Sequence, residues 1–365
     1  MRLCTILGTR PEIVKMSPVL RYCQAKGLDH YVIHTGQHYS YEMDGIFYEE
    51  LELPPPEFNL RVGSGSHGEQ TGKMLALIES LLKREGADMV LVQGDTNTVL
   101  AGALAAAKLH IPVGHVEAGL RSFDRTMPEE VNRVVADHIS TLFFAPTERS
   151  AQNLRAEGLV DGVHVTGNTI VDAVRQNLDI ARRKADPLRA LGLTKGNYIL
   201  STLHRAENVD QEERLRRILT GIEEVHQALG LEVVLPLHPR TRKNIATFGI
   251  AVPVGLHLME PVGFLDFLRL EGEAALLITD SGGVQEESCI LGVPCGTVRD
   301  NTERPETVEC GSNALAGSDP QRILQEATRM AHAERDWSCP LGDGHSGSRI
   351  VQIAMDWDAR RAPVP

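Results

Sequence analysis

Short apolar runs recur along the chain, separated by longer stretches whose apolar residues fall at helical spacing. Residues 3–7, 31–34, 89–92, 113–116, 141–145 and 163–165 predict strands; 11–26, 69–85, 98–110, 129–139 and 150–158 predict the helices between them. A helical stretch at 170–184 and a polar segment at 185–197, read as a linker, follow. The pattern then restarts with strands at 198–202, 231–235, 254–258, 275–279 and 293–297. Unbroken apolar strands alternating with helices imply parallel sheets covered on both faces. The expected fold class is therefore α/β, with two Rossmann-like doubly wound domains facing a cleft. They are expected at 1–170 and 171–348, with a last helix in 349–365 packing back on the first.

In such sheets ligands bind beyond the carboxyl ends of the strands, so the residues after each strand are the ones to read. After 275–279 comes Asp280-Ser281-Gly282-Gly283, followed by a helix carrying Glu286 and Glu287. Two glycines at a helix start let an anion approach free N–H groups at the positive end of the helix dipole. Glu287, one turn past Gly283, is placed to accept hydrogen bonds from ribose hydroxyls. A nucleotide diphosphate fits this stretch, and a plain strand-to-helix turn with a solvated acidic helix fits it equally well. The first strand ends in Gly8-Thr9-Arg10-Pro11-Glu12, with Lys15 one turn on: two cations at a helix start, a second diphosphate contact.

The next two strands of the first half deliver carboxylates. Asp95 follows Gly94, Glu117 follows Val116, and Glu129 follows Pro128 at the start of a helix. Taken singly, Asp95 and Glu129 read as helix-start acids and Glu117 as a partner of Arg121. Asp95 and Glu117 after neighbouring strands suit proton transfer. In the second half His204 and Arg205 end the first strand, with His238 after the next, and Arg304 lies in the polar loop beyond Glu287. Phe267 is a candidate to stack on a base, and an ordinary core position accounts for it as well.

Two look-alikes fail on context. Gly63-Ser64-Gly65-Ser66-His67-Gly68 has the spacing of a dinucleotide loop but follows Pro54-Pro55-Pro56 instead of a buried strand, so it reads as a loop capping the next helix. Gly68 to Lys73 is one residue short of a nucleoside-triphosphate loop and ends in Met74 where a hydroxyl should hold magnesium.

Composition narrows the partners. A formal net charge of −12 excludes general nucleic-acid and membrane-surface binding, so any anionic substrate must be held by local cations. No apolar stretch approaches a membrane span, the chain enters a strand without a signal peptide, and the 6 cysteines form no C-x-x-C pair. A reduced cytoplasmic protein without structural zinc is expected.

Gly8-Thr9-Arg10-Pro11-Glu12, Gly94-Asp95-Thr96, His115-Val116-Glu117-Ala118-Gly119-Leu120-Arg121, Pro128-Glu129-Glu130, Gly167-Asn168-Thr169, the run from Asp280 to Glu287 and that from Arg299 to Glu306 occur in the order in which they resemble the non-hydrolysing UDP-N-acetylglucosamine 2-epimerases. The resemblance implies a fold like the B-type glycosyltransferases, usually a homodimer, and reversible interconversion of UDP-GlcNAc and UDP-ManNAc. UDP is eliminated to leave 2-acetamidoglucal, then added back after reprotonation on the other face of C2. It further implies Asp95, Glu117 and Glu129 as the acid/base set and His204 as the group assisting the UDP leaving group. Arg10, Lys15, Phe267, Ser281, Gly282, Gly283, Glu287 and Arg304 match its nucleotide-binding positions. Neither a metal nor another cofactor is implied, and the pathway implied is amino-sugar supply for surface polysaccharide.

Two departures stand out. Many bacterial members carry a Gln-His-x-x-x-Met motif tied to allosteric activation. Here Gln37-His38 is followed by Tyr39-Ser40-Tyr41-Glu42-Met43, one residue longer, which leaves allostery open. A glutamine of several relatives is Val262 here. Alternatives to the implied activity are epimerisation of a UDP-diacetamido-uronic acid, a hydrolysing 2-epimerase, a B-type glycosyltransferase and a silent nucleotide-sugar sensor.

Overall fold

The computed structural model describes residues 1–37 and 41–359 and divides the chain into two compact units: Met1–Arg175 with Leu341–Pro365, and Gln176–Pro340. In the first unit β1 (Leu3–Leu7), α1 (Arg10–Ala25), β2 (His30–His34), α2 (Tyr41–Glu50), β3 (Phe58–Asn59), α3 (His67–Glu85), β4 (Met89–Gln93) and α4 (Asn97–Lys108) come first. They are followed by β5 (Val113–Val116), α5 (Pro128–Ile139), β6 (Leu142–Ala145), α6 (Glu148–Ala156), β7 (Val163–Val165) and α7 (Thr169–Lys184), whose residues after Arg175 belong to the second unit. Among the described residues these strands make a parallel sheet in the order β3-β2-β1-β4-β5-β6-β7. β1 and β4 are buried along their whole length, which is why they read as largely apolar runs.

The second unit continues with α8 (Pro187–Leu191), β8 (Tyr198–Thr202), α9 (Ala206–Val209), α10 (Glu212–Leu229), β9 (Glu232–Pro236), α11 (Pro239–Thr247), β10 (Leu256–Met259), α12 (Phe264–Glu273) and β11 (Leu276–Thr279). Then come α13 (Gly282–Leu291), β12 (Cys295–Thr297), α14 (Pro305–Glu309), β13 (Asn313–Leu315) and α15 (Pro320–Ala331). Its sheet is also parallel, in the order β10-β9-β8-β11-β12-β13. Both units are thus doubly wound α/β sheets. Strand order reverses between β1 and β4 in one and between β8 and β11 in the other, where such sheets bind ligands.

The segment expected as a linker is not open chain. Its α8 starts on Pro187, ends on a left-handed Gly192 and buries Leu188 against Tyr198 and Leu200. α16 (Ser346–Ala359) lies on α1: Gln352 donates to Tyr22 Oη at 3.0 Å, and a Cβ on Gly347 would lie 2.8 Å from Pro18 Cβ. The part of the expected last helix beyond residue 359 lies outside the described residues.

Both look-alike loops have local roles. Ser66 caps α3 in a reciprocal box with Glu69, and Gly68 to Lys73 are turns of α3 itself. Of the odd-spaced Gln-His motif, His38, Tyr39 and Ser40 lie outside the described residues. Gln37 is buried, its side chain accepting from Thr98 Oγ1 at 2.8 Å.

Candidate active site

At the first switch point the turn from Gly8 to Glu12 is tied to the β4 loop by one carboxylate. Glu12 accepts from the N–H groups of Gly8 and Thr9 at 2.6 and 2.8 Å with one oxygen, and from Thr96 Oγ1 at 2.6 Å with the other. Burial pushes its pKa up to about 7, against the lowering effect of those donors. Gly8 is fixed by packing: a Cβ there would lie 2.0 Å from Thr35 Oγ1. Arg10 starts α1 with its guanidinium 5.7 Å from the centre of the Phe47 ring.

Lys15, expected as a diphosphate contact, has its Nζ 2.5 Å from Glu117 Oε1. Glu117 is almost fully buried at the end of β5, and Gln93 and Asn168 also donate to its carboxylate. Its backbone is left-handed, at φ 67°, which a non-glycine residue holds only at a cost of about 1–3 kcal/mol. The surroundings supply the constraint. His115, just before it, is fully buried, with Nδ1 2.6 Å from Asp137 and Nε2 2.8 Å from the Gly94 carbonyl; Asp137 also accepts from the Gly119 N–H at 3.1 Å. Burial works against a charged His115, but Asp137 outweighs it and the imidazole pKa is raised. Arg121, expected as the bland partner of Glu117, goes instead to Asp137 at 2.7 Å and to Glu157.

Asp95 lies beyond β4, next to β5 in the sheet, and pairs with Arg133 of α5, which also holds Glu130. Glu130 is the structural acid of the pair at the start of α5: it accepts from Ser122 and from the Phe123 N–H, whereas Glu129 is exposed in the same helical turn. The first unit therefore gathers Asp95, Glu117 and Lys15 at the ends of β1, β4 and β5, with Glu129 on the helix that Arg133 ties to Asp95.

In the second unit Asp280, fully buried at the end of β11, accepts from the backbone N–H groups of His204 and Arg205 and lies 2.9 Å from His204 Nδ1. Burial raises the pKa of Asp280, but His204 and the two N–H groups outweigh it and hold the carboxyl below the usual range. Engaging Nδ1 leaves Nε2 as the working nitrogen of an imidazole that is 40% exposed. His238 is its neighbour, ring centres 6.2 Å apart, and its own pKa is lowered by burial, then by the His204 and Arg240 charges.

Ser281 caps α13, and Gly282 and Gly283 open it. A Cβ on Gly282 would come no nearer than 4.0 Å to Arg205, and one on Gly283 no nearer than 3.8 Å to Ser281 Oγ. Neither glycine is required by packing or by its backbone angles, so what their missing side chains give is an open approach to the helix N–H groups. Arg304 pairs with the buried Glu286, one turn into the helix. Glu287 is half-buried, beside α12. Phe267 packs partly into the core with Val262, so the core reading accounts for one of its faces.

Asp280, Arg133, Gln93 and Asn168 were not singled out as site residues in the sequence. Asp280 was within reach, since it follows a strand as Glu117 does, and Asn168 stands in the Gly167-Asn168-Thr169 motif; Arg133 and Gln93 act by contacts that no local pattern carries. Among the described residues no group of three or more His, Cys, Asp or Glu side chains is placed to hold a metal ion. Chemically, the first unit offers carboxylates held by cations and amides for proton transfer. The second offers an oriented imidazole next to an open anion-binding helix start, which suits departure of a phosphate-type leaving group.

Residues 21–355 match the family model described as UDP-N-acetylglucosamine 2-epimerase. The chain is 54% identical over 361 residues to the UDP-N-acetylglucosamine 2-epimerase of Methanocaldococcus jannaschii, covering 97% of this chain and 98% of the relative. It is 41% identical to the UDP-2,3-diacetamido-2,3-dideoxy-D-glucuronate 2-epimerase of Pseudomonas aeruginosa, covering 96% and 99%. The crystal structure of the M. jannaschii UDP-GlcNAc 2-epimerase in complex with UDP-GlcNAc and UDP superposes with a TM-score of 0.87 at 53% identity, covering 98% of this chain and all of that one.

Proposed function

The chain belongs to the UDP-N-acetylglucosamine 2-epimerase family, and from that premise we propose how its residues interconvert UDP-GlcNAc and UDP-ManNAc. The proton on C2 of the sugar has no adjacent carbonyl and is not removable on its own. Breaking the C1–O bond to UDP develops positive charge at C1, acidifies that proton and leaves 2-acetamidoglucal and UDP. Re-addition after protonation on the opposite face gives the epimer. Asp95, Glu117 and Glu129 form the acid/base set. His204, oriented by Asp280, gives a proton to the departing diphosphate, and the open start of α13 at Ser281, Gly282 and Gly283, with Arg10 and Arg304, holds that diphosphate. Glu287 takes the ribose hydroxyls, and the open face of Phe267 the base.

The observation that carries this reading is the Asp280–His204 pair, 2.9 Å apart, beside a helix start whose glycines packing does not demand. In D2O, UDP-GlcNAc should give UDP-ManNAc with deuterium at C2 in both sugars, followed by NMR. Free ManNAc with equal UDP would mean hydrolysis instead, and conversion of the diacetamido-uronic acid substrate alone would reassign the sugar. The higher identity to the GlcNAc enzyme favours the first outcome.

Lys15 is proposed to tune Glu117 and to turn to the diphosphate when substrate is bound. The protein is proposed to be cytoplasmic and to supply amino sugar for surface polysaccharide; no described helix is long and apolar enough to cross a membrane. A homodimer is supported by the apolar residues Leu77 on α3 and Val131 and Val135 on α5, exposed by 37%, 46% and 37% on helices that flank α4. Light scattering should give twice the 40.0 kDa of one chain, and V131D/V135D should halve it.

A further inference from the structure

α12 and α13 pack side by side, and the contact between them contains two carboxyl groups. Glu271, one turn after Phe267 on α12, is fully buried, and among the described residues no conventional donor reaches either of its oxygens. The charge that acts on it is that of Glu287, four residues past Gly283 on α13. Two carboxylates cannot both be ionised in such a place: burial penalises each charge and each repels the other. The titratable neighbours Cys295 and Tyr198 supply no positive charge, since burial favours the neutral form of both. Burial first, and then the Glu287 charge, raise the Glu271 pKa well above the carboxylate range. Burial and that charge therefore favour Glu271 as a neutral acid.

We propose that Glu271 is a positioning residue for nucleotide binding: as a neutral acid it donates a hydrogen bond to Glu287 and fixes that carboxylate in the orientation that accepts the ribose hydroxyls. This rests on the reading of Glu287 as the ribose acceptor. The arrangement gives Glu287 a single rotamer before ligand arrives, so less side-chain freedom is lost on binding.

Calorimetry with UDP and with 2′,3′-dideoxy-UDP tests it on the full-length protein. Wild type should prefer UDP. E271L, which has no donor, should weaken UDP binding by about tenfold and leave dideoxy-UDP binding unchanged; E271Q, whose amide N–H still donates, should keep the preference within about twofold. A merely structural role would weaken both ligands alike in E271L, and that outcome, or an undiminished preference, overturns the proposal. Equal binding of both ligands by wild type would remove the ribose reading itself, and the proposal with it. If E271L does not fold, the infrared spectrum of wild type decides: a protonated carboxyl band at neutral pH that E271Q lacks is expected, and its absence overturns the assignment.

Discussion

Glu117→Gln should lower epimerisation by about three orders of magnitude while changing UDP affinity only a few-fold, as expected for a group that moves a proton in the transition state. The substitution is close to isosteric, and the amide oxygen still accepts from Asn168 or Gln93. What it loses is the charge that faces Lys15 at 2.5 Å and the basicity needed at C2. The strained backbone at φ 67° supports a chemical role, because strain of this kind is kept where geometry matters more than stability. Turnover measured from each sugar separately also assigns the face. If Glu117 serves one face of C2, E117Q started from one epimer should still release UDP and 2-acetamidoglucal, whereas from the other it should release neither. Turnover within tenfold of wild type would mean that Glu117 is only the anchor of Lys15.

The alternation of strands and helices was legible because both sheets are parallel and buried on two faces, so β1, β4, β8 and β11 are mostly apolar. Short edge elements were not: β3 and β13 have too few residues to show a period, and α8 hides in a polar stretch with one buried leucine. Reading the residues beyond each strand singles out Asp95, Glu117, His204 and the glycine turn as candidates, since the sheet sends these segments to one edge whatever their sequence. Partners were out of reach for a physical reason. Lys15 and Glu117 are 102 residues apart and His204 and Asp280 about as remote, at 76. Strand order brings each pair together: β5 lies one strand beyond β4, the neighbour of β1, and β11 lies beside β8. Local periodicity carries no trace of that order, so neither the Lys15–Glu117 nor the His204–Asp280 contact can be read from it.

Asp280→Asn is expected to cost about 100-fold in kcat with little change in UDP affinity, an effect exerted entirely through His204. The buried carboxylate accepts from the His204 and Arg205 N–H groups at 3.0 Å and from Asn208 at 3.2 Å, and lies 2.9 Å from the His204 ring. An amide has one oxygen for these donors and must turn its NH2 toward at least one of them. If that donor is His204, Nδ1 has to become the acceptor, the proton moves to Nε2, and the imidazolium that should protonate the leaving group is no longer stabilised. A double variant with His204→Gln should be no slower than H204Q alone, because both changes remove one function. The stability cost should be about 1–3 kcal/mol for the unsatisfied buried donor, and it should depend on pH. The folded pKa of Asp280 lies below its usual 3.8, so its ionised form stabilises the fold above that value, and the benefit is lost as pH falls through the lowered pKa. Denaturation of wild type and D280N should therefore differ at pH 7 and converge below about pH 3.8. A constant difference would mean that the carboxylate charge is not what Asp280 contributes, and a D280N enzyme with wild-type kcat would separate the Asp280–His204 pair from catalysis.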